Sequence, residues 1–181
     1  DSYIFSSVIG YDGKITKEEL NANKEYLMTD YIGKAGIEKQ YEKELKGKNG
    51  VKQVEVDSLG NVKKDLGIIN PEPGSDLVLN LNEGLQKKIY DSLSIALQKS
   101  ETRTGAAVAI NPQNGGVLAS VSLPGYDNNL FARGISNSDY QSLVNDKDFP
   151  LLNRVANGEY PPGSTLKPII AIAALSEGVI T

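Results

Sequence analysis

The spacing of apolar residues along the chain predicts several helices. The clearest lies over residues 83–99, where apolar side chains recur at the spacing of one helix face. We expect these side chains to face the core: Leu85, Ile89, Leu93, Ala96 and Leu97. Thr16, followed three residues later by Glu19, has the pattern of a capping box and predicts a helix through about residue 23. A further short helix is predicted over residues 38–45.

The sequence predicts two hairpins, the first of them from alternating polar and apolar residues. Residues 51–56 alternate in this way, and a Ser-Leu-Gly-Asn turn then leads into a second strand. Residues 105–110 and 117–122 form another predicted hairpin around a turn rich in Asn and Gly. A short apolar strand is predicted over residues 76–81. After the second hairpin, residues 124–150 are predicted to be loop with short helical pieces.

Length and composition indicate one ordinary domain, or a small domain with part of a second. The chain has 181 residues, of which 39% are hydrophobic and 23% charged, so a packed core is expected. A Pro-Glu-Pro-Gly segment at residues 71–74 separates a first part rich in mixed charges from a less charged second part. We therefore predict domains over residues 1–70 and 71–181. The net charge of -4 argues against nucleic acid as a partner.

No segment has the length of a membrane span. The longest apolar run covers seven residues, 169–175, whereas about 20 are needed to cross a bilayer. The chain begins with Asp1 and not with Met, so we expect it to be a piece of a longer protein.

The sequence contains neither cysteine nor histidine. Disulfides, thiolate metal sites, a cysteine nucleophile, a Ser-His-Asp triad and most zinc sites are thereby excluded. We expect no cofactor and no metal ion. Any catalysis has to use Ser, Thr, Lys, Tyr, Asp or Glu.

One pair of residues could provide a serine nucleophile with a lysine base. Ser164 and Lys167 form the only Ser-x-x-Lys match in the chain, and on a helix residues three apart share a face. Pro161, Pro162 and Gly163 precede the serine, and an apolar helix is predicted from near residue 164 through 175. A helix N-terminus favours developing negative charge, and glycine lets a substrate carbonyl approach closely. The composition alone predicts about one such match by chance, so a plain helix start with a solvent-facing lysine is the alternative.

Several longer segments carry more information than this pair. They read VIGY at 8–11, IGKAGIEKQYEKELKG at 32–47, DLVLNLNEGLQ at 76–86, NPQNGGVLASVSLPGYDNNLF at 111–131, LLNRVANG at 151–158 and YPPGSTLKP at 160–168. Together they resemble, in the same order, motifs of the class B penicillin-binding proteins. The first two resemble the non-catalytic pedestal domain, and the others resemble the start of the transpeptidase domain.

The resemblance implies an α+β fold. Residues 1–70 would be part of a mixed pedestal or dimerisation domain with a hairpin. Residues 71–181 would be the N-terminal part of the penicillin-binding transpeptidase fold, an antiparallel sheet flanked by helices, ending in the Ser-x-x-Lys helix. The family completes its site with an S-x-N motif and a K-x-G strand further along the chain, and the sequence contains no S-x-N. Without those parts we expect unpaired strand edges and an uncovered helix over 169–175, and hence a companion for the second half.

The resemblance also implies a function, that of a D,D-transpeptidase that cross-links peptidoglycan. Ser164 would attack the stem peptide and Lys167 would take its proton, while Gly163 and Thr165 are weaker candidates for substrate contacts. The implied partners are peptidoglycan stem peptides, β-lactam antibiotics that acylate Ser164, the remainder of the transpeptidase domain, and membrane proteins of cell-wall synthesis. The implied location is the extracytoplasmic face of the cytoplasmic membrane, with an N-terminal anchor. The 181 residues alone are expected to be inactive.

Two other functions fit parts of the sequence. The chain could be a non-catalytic pedestal and interaction module, in which the Ser-x-x-Lys helix is incidental. A β-lactam sensor or a class D-like β-lactamase would share the Ser-x-x-Lys chemistry, but the pedestal signature argues against both.

Overall fold

The computed structural model describes residues 2–132 and 134–180, which form eight α-helices, six strands and two 3-10 turns. The helices are α1 (Ser2–Ile9), α2 (Lys17–Ala22), α3 (Gly36–Gln40), α4 (Glu42–Leu45), α5 (Glu83–Lys99), α6 (Asn137–Val144), α7 (Arg154–Asn157) and α8 (Lys167–Ser176). The strands are β1 (Tyr11–Lys14), β2 (Tyr31–Ala35), β3 (Val51–Val56), β4 (Val62–Ile69), β5 (Gly105–Ile110) and β6 (Val117–Leu123). The 3-10 turns cover Asn128–Leu130 and Gly163–Leu166. This is the mixed α+β architecture that the sequence predicts.

The strands pair as three separate antiparallel ladders within the described residues: β1 with β2, β3 with β4, and β5 with β6. Both predicted hairpins are confirmed. In the second, Gly105 lies opposite Leu123, and a register shift occurs next to Ile110. The third ladder was not predicted, because β1 and β2 are short and lie 16 residues apart.

Local capping signals fix the two best-predicted helices. Thr16 Oγ1 accepts a hydrogen bond from the Glu19 backbone at 3.2 Å, and the Glu19 carboxylate accepts one from the Thr16 backbone at 2.8 Å. The capping box is therefore confirmed, and α2 follows it. Helix α5 begins after Asn82, whose side-chain oxygen accepts a hydrogen bond from the Leu85 backbone at 2.9 Å.

Three predicted elements differ from the structure. Residues 76–81 form no strand: Asn82, just after them, donates to the Leu118 carbonyl of β6, but among the described residues none of 76–81 makes a backbone hydrogen bond to a strand, and Val78 is 92% exposed. The helix predicted over 38–45 is divided into α3 and α4 at Tyr41, whose ψ of 25° is not helical. The α-helical part of the last helix begins at Lys167, after a 3-10 turn that contains Ser164.

The core forms where α1, α5, α7 and the β5–β6 ladder pack together. Ala119 and Val121 of β6 are fully buried, and the apolar stripe of α5 is half-buried except for Ala96, which is exposed. The most completely buried side chain of α5 is Gln86. Beside α1, an aromatic cluster forms in which the ring of Tyr11 stacks on Phe131 and meets the edge of Tyr126. Residues near the start of the chain thus share a core with residues beyond 80.

Helix α8 lies outside this core. Its isoleucines Ile169, Ile170 and Ile172 are each more than 60% exposed, as the sequence predicts for a helix without its cover. The β3–β4 ladder also exposes most of its apolar side chains on both faces. Among the described helices, none is both long and apolar enough to cross a membrane.

Candidate active site

The candidate nucleophile, Ser164, lies in a tight 3-10 turn. Pro162 begins the turn, and its carbonyl accepts a hydrogen bond from the Thr165 backbone at 3.3 Å and another from the Thr165 hydroxyl. Gly163 has a φ of +55°, in the left-handed region that favours glycine. A Cβ at this position would meet no atom within 4 Å, so the glycine serves the backbone conformation and leaves open space around it.

Lys167 follows at the first position of α8. Its backbone N–H donates to the Ser164 carbonyl, which joins the turn to the helix. Pro168 is tolerated in the first helical turn because its missing N–H would have no helical partner there. Residues three apart in a 3-10 turn are eclipsed, so Ser164 and Lys167 lie on one side of the chain. Both are exposed, and no hydrogen bond joins the Ser164 hydroxyl to the Lys167 amine within the described chain.

The four predicted site residues are therefore brought together, although differently from the prediction. Ser164 does not lie in the first turn of an α-helix but one 3-10 turn before it. Thr165 uses its hydroxyl to close that turn, so its side chain has a local partner. Gly163 provides the backbone bend that directs the chain into α8.

The segment that leads to this turn is held firmly by a buried arginine. Arg154 is only 6% exposed, and its guanidinium donates to the carbonyls of Asp148, Phe149 and Leu152. Phe149 has a φ of +44°, which is unusual for a bulky residue, and Arg154 binds the carbonyl of this strained turn.

A hydroxyl and an amide attach the same segment to the core. Ser122 Oγ in β6 donates to the Leu152 carbonyl and accepts from the Arg154 backbone N–H, each at 3.0 Å. Asn153 binds the carbonyl of Ser7 in α1 at 2.8 Å and also caps α7. The sequence patterns do not single out Ser122, Asn153 or Arg154, although the LLNRVANG segment contains Asn153 and Arg154.

A cleft lies between this segment and the outer side of β5. Its walls include Thr104 and Val108 on one side and Arg154, Val155 and Tyr160 on the other. Tyr160 lies four residues before Ser164 and is 62% exposed. One wall of the cleft therefore includes a residue that is close in sequence to the candidate nucleophile.

The described residues include no group of three or more acidic side chains that could hold a metal ion. The titratable groups with displaced pKa values lie elsewhere in the fold. Burial, with a smaller effect of Tyr11, raises the pKa of Tyr126 to about 12, and this ring belongs to the aromatic cluster. Burial and the neighbouring Asp12 and Glu42 raise the pKa of Glu38 in α3.

Two protein-family models match the chain. The model described as the penicillin-binding protein dimerisation domain matches residues 1–79, and that of the penicillin-binding protein transpeptidase domain matches residues 105–181. The second match contains Ser164 and Lys167. The domain boundary predicted between residues 70 and 71 stays a prediction.

Curated relatives cover nearly the whole chain. It is 44% identical to the peptidoglycan D,D-transpeptidase MrdA of Acinetobacter baumannii, with 98% of this chain and 26% of the relative aligned. It is 45% identical to the protein of the same name from Escherichia coli strain K12, with 96% of this chain and 27% of the relative aligned. The chain thus spans about a quarter of the length of these relatives.

A solved structure has the same fold over this region. The complex between penicillin-binding protein PBP2 and MreC from Helicobacter pylori matches with a TM-score of 0.83 and 34% identity. The match covers 99% of this chain and 32% of that chain.

Proposed function

Because this chain belongs to the penicillin-binding protein family, and carries its dimerisation domain and the start of its transpeptidase domain, we propose that the whole protein is a peptidoglycan D,D-transpeptidase with Ser164 as its nucleophile. The observation that carries the proposal is the position of Ser164 and Lys167, which lie three residues apart at the turn into α8, within the transpeptidase match. Relatives that align over nearly the whole chain are named peptidoglycan D,D-transpeptidases.

The proposed reaction has two transfers. Ser164 Oγ attacks the carbonyl between the two terminal D-alanines of a stem peptide, and the amine of Lys167 accepts the hydroxyl proton. The bond to the last D-alanine breaks, and the Lys167 amine passes the proton it accepted to the departing amine. An amine of a neighbouring strand then attacks the ester and forms the cross-link, while one of its protons passes through Lys167 to the released Ser164 oxygen.

The turn around Ser164 suits this chemistry. The serine is exposed, and the space around Gly163 is open, so a peptide carbonyl could approach the backbone closely. One oxyanion donor would be the Ser164 backbone N–H. An oxyanion site normally has a second donor as well, and the loss of one donor typically lowers the rate by about 100- to 1,000-fold.

A β-lactam would acylate the same serine and remain attached. The test uses the full-length protein incubated with a fluorescent penicillin and analysed by intact mass. We expect one penicilloyl adduct in the unaltered protein, none in Ser164→Ala, and strongly slowed labelling in Lys167→Ala. Ser142→Ala, an exposed serine in α6, is the matched control and should label normally. Labelling that survives Ser164→Ala would refute the proposal.

We propose that the 181 residues alone do not label. Their sequence has no S-x-N motif, and within the described chain Ser164 and Lys167 are open to solvent with no catalytic neighbour bonded to them. A penicilloyl adduct on the isolated chain would contradict this part of the proposal without affecting the activity of the whole protein.

We also propose the setting in which the protein works. Its partners would be stem peptides, the rest of its transpeptidase domain and membrane proteins of cell-wall synthesis, and the PBP2–MreC complex supports a MreC-like partner. The site would lie on the extracytoplasmic face of the cytoplasmic membrane. Co-purification with a MreC homologue, and labelling of intact cells or spheroplasts by a penicillin that does not cross the membrane, test these two statements.

A second candidate is a non-catalytic interaction module. The exposed apolar side chains of the β3–β4 ladder and the match to a dimerisation domain favour it. Absence of labelling in the full-length protein, together with retained partner binding, would favour this role.

A further inference from the structure

The C-terminal end of α1 is bound by side chains from distant parts of the sequence. The last carbonyls of a helix have no helical partners and need other donors. Asn153 Nδ2 donates to the Ser7 carbonyl at 2.8 Å, and Asn128 Nδ2 donates at 3.1 Å to the carbonyl of Gly10, just after the helix. Tyr126 Oη donates at 3.2 Å to the Ser6 carbonyl, which also accepts from the Gly10 backbone N–H at 2.9 Å. Three donors from residues beyond 120 thus hold one end of the first helix.

Asn153 differs from the other two donors because it also begins a helix. Its Oδ1 accepts hydrogen bonds from the backbone N–H groups of Val155 at 3.1 Å and Ala156 at 3.2 Å, which caps α7. Its two side-chain atoms therefore join the end of α1 to the start of α7. Asn128 has no such second role, since it lies in the 3-10 turn 128–130, far along the chain from Ser164.

Helix α7 is the last anchored element before the candidate nucleophile. The backbone of Gly158 lies against α7, because a Cβ on this residue would be only 2.4 Å from the Arg154 carbonyl oxygen. From residue 159 to residue 166, all of them described, the only hydrogen bonds are those of the 3-10 turn itself, and every residue is exposed. Within the described residues, the direction in which the chain leaves α7 therefore sets where Ser164 lies.

We propose that Asn153 is a positioning residue for Ser164, through which α1 fixes the path of the chain into the Ser-x-x-Lys turn. The inference rests on the proposed function, because positioning has a consequence only if Ser164 reacts. Small displacements of a nucleophile are costly, and about 1 Å can lower a rate roughly 100-fold.

Two substitutions separate the two roles of the side chain. Asn153→Asp and Asn153→Ser both retain an oxygen that can cap α7, since Asp and Ser are good N-cap residues. Neither can donate to the Ser7 carbonyl in the way that the amide does, because the carboxylate has no N–H and the serine side chain is shorter. Asn128→Asp is the matched control, since it removes an equivalent half-buried donor to the end of α1 and leaves α7 unchanged.

The experiment measures the acylation of full-length protein by a fluorescent penicillin over a range of concentrations, so that the binding constant and the acylation rate constant are obtained separately. We expect both Asn153 variants to lower the acylation rate constant by roughly 10- to 100-fold and to leave the binding constant almost unchanged. Asn128→Asp should acylate at the normal rate, while its melting temperature falls about as much as that of Asn153→Asp. A purely structural role would give the three variants the same kinetics.

Either of two results would overturn the inference: normal acylation in a folded Asn153 variant, or an equal loss in Asn128→Asp. If Asn153→Asp does not fold, Asn153→Ser decides, because it introduces no charge. Failure of the proposed function gives a different result, namely an unaltered protein that does not label or a label that survives Ser164→Ala. Normal labelling at Ser164 with normal Asn153 variants refutes the positioning role alone.

Discussion

Gln86 shows how much of this fold depends on single polar side chains. Its side chain is fully buried, and its amide pairs with the backbone of Ser120, donating to the carbonyl and accepting from the N–H, each at 2.8 Å. It thus binds β6 as the peptide group of a neighbouring strand would. A further hydrogen bond reaches the Ile4 carbonyl in α1 at 2.8 Å. One residue of α5 therefore ties together a strand and the first helix, and the buried polar groups are satisfied.

Replacement of the Gln86 amide should destabilise the fold strongly. In Gln86→Leu the side chain keeps a similar size, but the buried N–H and carbonyl of Ser120 lose their partner. Each unsatisfied buried group costs about 1–3 kcal/mol, so we expect the free energy of unfolding to fall by about 3 kcal/mol in urea denaturation. Gln98→Leu, an exposed position on the same helix, is the control and should change stability by less than about 0.5 kcal/mol. Equal effects of the two substitutions would show that the Ser120 pairing has no special weight.

At the scale of elements, local signals predicted what local interactions determine. The capping box at Thr16 and the turn-flanked hairpins lie within a few residues of sequence, and each is present in the structure. The apolar pattern of residues 76–81 predicts a strand, but a strand also needs a ladder of hydrogen bonds to its neighbour, which a local pattern cannot provide. The interruption of the helix at Tyr41 also involves tertiary contacts, since Glu42, just after it, accepts hydrogen bonds from Gly33 and Tyr26.

In the candidate site, too, the sequence predicts the features set by neighbouring residues and not those set by long-range contacts. The motif identified Ser164 and Lys167, and the glycine and prolines before them indicated a turn. The pattern did not reveal that the turn is 3-10, nor that Arg154 and Asn153 anchor the segment before it. Those contacts join residues up to 146 positions apart, so they become visible only once α1 and β6 are placed.

The capping box gives a prediction about pH. Burial alone would raise the pKa of Glu19, but hydrogen bonds from Lys34 and from Thr16 outweigh it and hold that pKa below its ordinary value of 4.5. Because the folded-state pKa is the lower one, the carboxylate stabilises the fold above about pH 4.5, and this contribution is lost as the pH falls through the folded-state pKa. Glu19→Gln should therefore be less stable than the unaltered chain at pH 7, by less than about 1 kcal/mol because the side chain is partly exposed.

Urea denaturation at pH 7 and at pH 3 checks this prediction. The difference between Glu19→Gln and the unaltered chain should be smaller at pH 3 than at pH 7, because the unfolded chain then binds a proton at Glu19 and the stabilisation by its charge is progressively lost. Glu18→Gln removes the same charge from the same turn without either hydrogen bond, and it should have little effect at pH 7. A difference for Glu19→Gln that is unchanged at pH 3 would mean that the charge of Glu19 contributes nothing.

At the scale of the whole molecule, the apolar surface is distributed unevenly. The core joins α1, α5, α7 and β5–β6, whereas α8 contacts mainly the turn that precedes it. Its isoleucines face solvent together, and a contiguous apolar face of this kind normally has a partner. In the isolated 181 residues, the readiest partner is a second copy of the same helix.

We therefore expect the isolated chain to self-associate through α8. Lysines at two exposed positions, in the double variant Ile169→Lys/Ile172→Lys, should reduce association in sedimentation velocity and lower the binding of a hydrophobic dye. The melting temperature of the core should change little, because neither side chain is buried. Ser176→Lys adds a charge at the exposed end of the same helix without removing apolar surface, and it should leave association largely unchanged. If the double variant associates as strongly as the unaltered chain, the contact lies elsewhere, and the exposed β3–β4 ladder becomes the surface to alter next.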